Sequence, residues 1–126
     1  MKRLWISLAL LLGMFALSLW SIHSIHTLSD QLVRDLKRAE VSAEAGDWTR
    51  ARQITLQARK RWERSASHLY MYQCHATGDE INSGFRQTIE YLQWKDVPEY
   101  SATNGALIAN VEHLAELETL NLRNLL

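Results

Sequence analysis

Histidine, cysteine, aspartate and glutamate supply the donor atoms for metal and acid–base chemistry. This chain of 126 residues has five His, one Cys and 14 acidic residues. The densest grouping is His68, Cys74, His75 and Asp79. His75 and Asp79 are four apart, and His68 lies seven before His75, so all three share one face of a continuous helix. With His113 from a later segment, imidazole and carboxylate, and Cys74 as a possible thiolate, make a donor set suited to Zn²⁺. A plainer reading has His75 ending a helix, where the dipole favours imidazolium and a carbonyl or Asp79 is at hand. The expectation is no resident metal or cofactor, with His68, His75, Asp79 and His113 as the residues a metal would need.

His23 and His26, three apart, are a second titratable pair, since imidazole changes charge near pH ~6.5. Their plainer role is a polar collar. Cys74 as an exposed thiol would be open to an intermolecular disulfide; its ordinary role is a partly buried free thiol. Trp48 and Trp62 could cage a ligand, but core packing is the usual work of such a seam. Ser65-Ala66-Ser67-His68 lacks the glycines of a hydrolase elbow, and no phosphate loop or zincin pattern occurs. The expectation is a protein that is not an enzyme.

The elements that must position these residues follow from composition. Lys plus Arg and Asp plus Glu number 14 each, which argues against a nucleic-acid partner. A single Cys excludes an internal disulfide. Five Gly and one Pro leave long uninterrupted stretches that favour helices.

Leu4 to Ile22 carries no charged residue. As a helix this run spans ~28 Å, close to the ~30 Å hydrocarbon core of a bilayer. Trp5 and Trp20 fall near its ends, where indoles prefer the membrane interface. Lys2 and Arg3 precede it, which predicts a cytoplasmic N-terminal side and an extracytoplasmic remainder. The best cleavage pattern, Ala16-Leu17-Ser18, falls inside the apolar run, so an uncleaved anchor is expected over a signal peptide. The expected organisation is a cytoplasmic tip over 1–3, a transmembrane signal-anchor helix over 4–22, and an extracytoplasmic helical domain over 23–126. No Gly or Pro lies between Gly13 and Gly46, so the span is expected to run straight into the outer domain.

Four helices are expected in that domain, at about 27–45, 48–73, 79–94 and 99–120. Leu28, Leu32, Leu36, Ala39 and Ala43 trace one stripe. Gly46 and Asp47 end one helix and cap the next. Trp48, Ala51, Thr55, Ala58, Trp62, Ser65, Leu69 and Tyr72 form a heptad seam. Gly78 is expected as a break, with Asp79 as cap. Ile81, Phe85, Ile89 and Leu92 face inward on the third helix. Leu107, Val111, Leu114 and Leu117 do so on the fourth, widened by Ala106, Ile108 and Leu120. The expected fold class is all-α: a single transmembrane helix, then an antiparallel up-down four-helix bundle made of two helical hairpins.

Charge is uneven. Residues 50–64 carry six basic residues against Glu63, and Arg59, Lys60, Arg61 and Arg64 crowd one segment. They read as the flank of a bundle seam, or as a basic face for anionic lipid or an acidic partner. Ala9, Gly13 and Ala16 would let the span pack closely against another membrane helix. The expected partners are the lipid bilayer and a membrane protein or a second copy. A structural or interaction role leads, ahead of a metal- or small-ligand-binding module and a juxtamembrane pH sensor.

Taken together, the N-terminal anchor, "GDWTRA" opening a long helix, Trp62 fourteen residues after Trp48, then His75, Asp79 and Ile81, and the ending "ELETLNLRNLL" are familiar. The chain resembles the small membrane-anchored helical proteins of Firmicutes grouped as domain of unknown function 4363. That resemblance implies an extracytoplasmic helical domain on one span, and a polytopic membrane protein as partner. It implies no activity. The sequence departs from the family pattern at Thr77, where an acidic residue is expected.

Overall fold

The apolar run and the first amphipathic stripe are a single helix, α1 (Lys2–Glu44), of 43 residues. At 1.5 Å per residue it is ~65 Å long. Nothing between Gly13 and Gly46 removes a helical hydrogen bond or loosens the backbone, so the helix continues from one environment into the other. Its first half is exposed, and burial begins at Ile25 and continues through Leu28, Ser29, Leu32, Leu36, Ala39 and Ala43. A computed structural model describes residues 1–69 and 75–125. The side chains of 67–69, 75, 121, 122 and 125 are outside that description.

The first turn forms as its residue types require. Gly46 takes φ +84°. Its N–H donates to Ala43 O (3.0 Å), and the Asp47 N–H donates to Ser42 O (2.9 Å). These two bonds are a Schellman motif, which satisfies carbonyls the helix end leaves open. Asp47 Oδ1 then accepts from the Arg50 N–H at 3.2 Å and starts α2 (Trp48–Leu69). The other hairpin repeats this geometry without glycine. α3 (His75–Trp94) closes with Lys95 N–H to Leu92 O (3.3 Å) and Asp96 N–H to Tyr91 O (3.2 Å). Lys95 itself takes φ 55°. Asp96 Oδ1 accepts from the Glu99 N–H at 3.3 Å and starts α4 (Val97–Leu125).

α1 packs on α2 and α4, and α3 closes the ring against the same two helices. This is the antiparallel up-down bundle. Within it α3 begins at His75 rather than Asp79. Gly78 lies buried in the first turn of α3 and does not break it. One glycine in a helix costs only about 1 kcal/mol, which burial of Ile81 and Phe85 offsets. Asp79 is therefore an exposed helical residue and not a cap.

The core has two parts. Leu28, Leu32, Leu36, Trp62, Phe85, Leu107 and Val111 belong to the larger cluster, toward the apolar half of α1. Ala39, Ala43, Ala51, Leu92 and Tyr100 form the smaller one at the hairpin-turn end, with Trp48, Ile54 and Tyr91 packed on it. Between them each of α2, α3 and α4 buries one polar residue: Thr55, Thr88 and Asn104, all 0% exposed. Thr88, not Ile89, is the fully buried residue of that turn, while Ala106 and Leu120 lie exposed off the α4 stripe.

Candidate functional site

The expected metal constellation does not assemble from what is described. The side chains of His68 and His75, and all of Cys74, fall outside the described residues. Asp79 on α3 and His113 on α4 are both exposed. Among the described residues no three His, Cys, Asp or Glu converge on a point.

Arg59 and Arg61 of the basic face are engaged in ion pairs. Arg59 Nε pairs with Glu63 Oε1 at 3.0 Å along α2, and Arg61 bridges to Asp35 on α1. Arg64 also has a partner. The bridge to Asp35 fixes the height of this face: Arg61 is level with a residue thirteen beyond Ile22. That places it ~20 Å from the end of the apolar run, beyond the ~8 Å screening length at physiological salt.

Ala9, Gly13 and Ala16 are exposed along the first half of α1. A Cβ added at Gly13 would meet nothing within 4 Å. That face has no partner within the described chain.

His23 and His26 are exposed on α1, and only His26 is bonded across helices. The Thr119 hydroxyl donates to Ala115 O at 3.1 Å. Its oxygen is thus left to accept, and His26 Nε2–H donates to it at 2.8 Å.

The polar cluster that organises the α1–α4 seam was not singled out from the sequence. Glu40 accepts from Ser101 Oγ at 2.6 Å through Oε1 and from Asn104 Nδ2 at 3.2 Å through Oε2. Asn104 Nδ2 also donates to Leu36 O at 3.1 Å. Ser29 Oγ donates to Val111 O at 3.3 Å, nearer the apolar half. Tyr100 is buried beside this cluster, its ring edge-on to Trp48 with centroids 6.4 Å apart. Its hydroxyl has no described partner, nor have Thr88 Oγ1 and Asn104 Oδ1. Burial, then the charges of Glu40 and Glu44, push the Tyr100 phenol well above its ordinary range. A signal existed: stepping back from Leu107 by three and then four lands on Asn104 and Tyr100.

At the far end of the bundle, Trp94 is 73% exposed beside Val97, next to the Lys95 turn. The grooves among the described residues are open to solvent. One lies over Val41, Ala45 and Ile54, and another over Gly84, Ala106 and Leu107.

A family model described as Domain of unknown function (DUF4363) matches residues 19–125. No curated protein and no solved structure matches the chain.

Proposed function

The chain belongs to the DUF4363 family, whose description assigns no activity, and we propose a non-enzymatic, membrane-anchored structural role in contact with another membrane protein. One observation carries this reading. α1 is a single rigid rod with an apolar, wholly exposed first half, of mean hydropathy 2.0 over its best window, and a core-forming second half. Exposing Leu4, Trp5, Leu10, Leu11, Leu12, Met14 and Leu17 to water is strongly unfavourable, whereas lipid accommodates them. Lys2 and Arg3 then stay on the cytoplasmic side and the bundle stands outside. Because the helix is continuous, any rotation or tilt of the span in the bilayer is passed to the bundle without slack.

In this arrangement Ala9, Gly13 and Ala16 pack against a helix of the partner within the bilayer, and the bundle covers the partner's outer surface. The test begins with alkaline carbonate extraction, in which the full chain stays with the membrane. Native-level protein is then captured in mild detergent, in parallel with a variant whose residues 4–22 are replaced by an unrelated apolar span. The expected result is a discrete complex with a membrane protein that the replacement dissolves. A solitary monomer in both preparations overturns the proposal, as does release by carbonate.

A further inference from the structure

The bonds along the α1–α4 seam act as a ruler. Glu40 meets Ser101 and Asn104, Ser29 meets Val111, and His26 meets Thr119. Each step toward the apolar half of α1 is a step toward the last turns of α4. From Thr119 the helix continues six residues to Leu125, and six residues before His26 is Trp20. α4 therefore ends level with the exposed Trp20, and Arg123 lies level with Ile22, the last residue of the uncharged run.

The other two helices stop short. Arg61 is level with Asp35, so Leu69, eight residues on, is level with Thr27. Trp62 Nε1 donates to Asn82 Oδ1 at 2.8 Å, so the start of α3 at His75 is level with the end of α2. Among the described residues of these three helices, α4 alone passes this plane, by ~8–10 Å. In that stretch Leu120 is 53% exposed, and Arg123 and Asn124 are exposed too. Five of the ten residues 117–126 are leucine, and the last acidic residue is Glu118.

We propose that the last two turns of α4 are a second membrane contact, lying beside α1 in the interface of the outer leaflet. Arg123, level with Ile22, meets the lipid phosphates, and Leu120, one turn farther from the bilayer, lies against the headgroups. This rests on the reading that the first half of α1 spans a bilayer. A helix tilt of ~20° shifts α4 by only ~3 Å at an interaxial distance of ~10 Å, so the contact survives ordinary tilting. The domain then sits on the membrane at two adjacent points rather than standing clear on a stalk. This resists rocking about the point where α1 emerges.

The experiment uses the full chain in phosphatidylcholine–phosphatidylglycerol vesicles. A Cys74→Ser background carries single cysteines by Leu11→Cys, Trp94→Cys, Leu120→Cys or Asn124→Cys, each labelled with an environment-sensitive nitrobenzoxadiazole dye. All four positions are exposed, so the substitutions leave the core intact. The expected result is deep-doxyl quenching at 11. At 120 and 124, shallow-doxyl quenching is severalfold that at 94, with blue-shifted emission. Quenching at 11 with water-like emission at 120 and 124 overturns the second contact and leaves the span standing. Water-like emission at 11 overturns the span, and the second contact with it.

Discussion

Tyr100→Phe removes one oxygen from the buried face of α4. The ring keeps its edge-on packing with Trp48 and its place among Ala39, Ala43 and Leu92. The lost hydroxyl has no described partner. A buried unpaired hydroxyl costs roughly 1–3 kcal/mol, so the variant is expected to gain about 1–2 kcal/mol at pH 8. The gain grows with alkalinity. The folded phenol is raised above its ordinary value, first by burial and then by Glu40 and Glu44. The folded state thus keeps its proton where the unfolded state loses it. This contribution is fully present below pH ~10 and is lost as pH climbs from ~10 toward the folded value, at about 1.4 kcal/mol per pH unit. The variant lacks the term. Its advantage should widen from about 1–2 kcal/mol at pH 8 to about 2.5–3.5 kcal/mol at pH 11. Urea unfolding of the full chain in dodecyl maltoside, followed by far-ultraviolet circular dichroism at both pH values, reads this difference. Groups that titrate identically in both proteins cancel. A variant less stable than the parent at pH 8 would show that the hydroxyl is partnered. A gap that stays constant with pH would refute the raised phenol.

Two further predictions use the same unfolding assay. Gly84→Ala places a Cβ 2.9 Å from Leu107 Cδ1 on the facing helix and should cost about 1–3 kcal/mol, whereas Gly105→Ala meets nothing and should gain about 0.5–1 kcal/mol from helix propensity. The two hairpin turns share one geometry with different residues, so Lys95→Gly should gain about 1 kcal/mol by relieving a left-handed backbone and Gly46→Ala should lose about as much. Equal effects within either pair would contradict the turn and packing geometry.

The fold was legible where one residue type has one physical solution. Leu28, Leu32, Leu36, Ala39 and Ala43 repeat at helical spacing, and all five are buried. Gly46-Asp47 carries both halves of a turn, the left-handed end and the cap. The Lys95 turn was legible too, with α3 ending at Trp94 as expected and α4 starting two residues before Glu99, although a residue other than glycine occupies the left-handed position. Gly78 misled because a glycine inside a helix costs so little that neighbouring burial decides. The buried polar layer was hidden by its own composition. Thr55 continues a stripe of small residues without comment, but Thr88 and Asn104 look like the outer face until their helices are placed. The expected metal residues depended on His68 and His75, and types with spacing along one helix say nothing of what a third helix brings near. Asp79 and His113 are exposed and join no cluster among the described residues.

The polar layer and the height of α4 are one problem. An apolar seam of leucines and alanines tolerates a slip of one turn, about 5.4 Å, because each knob finds a similar hole. Asn104 and Ser101 do not tolerate it. After such a slip, Glu40 would lose both donors and the Asn104 amide would be buried without Leu36 O. Each stranded group costs roughly 1–3 kcal/mol, which is enough to fix one register. That register sets the level of Thr119 against His26, and hence of Leu120 and Arg123 against Trp20. Under the proposed span, a slip would carry the end of α4 into the acyl region or lift it clear of the headgroups. The polar bonds of Ser101 and Asn104 in the middle of the bundle thus specify a length that, under the proposed span, is read out at the bilayer, some twenty residues along α1.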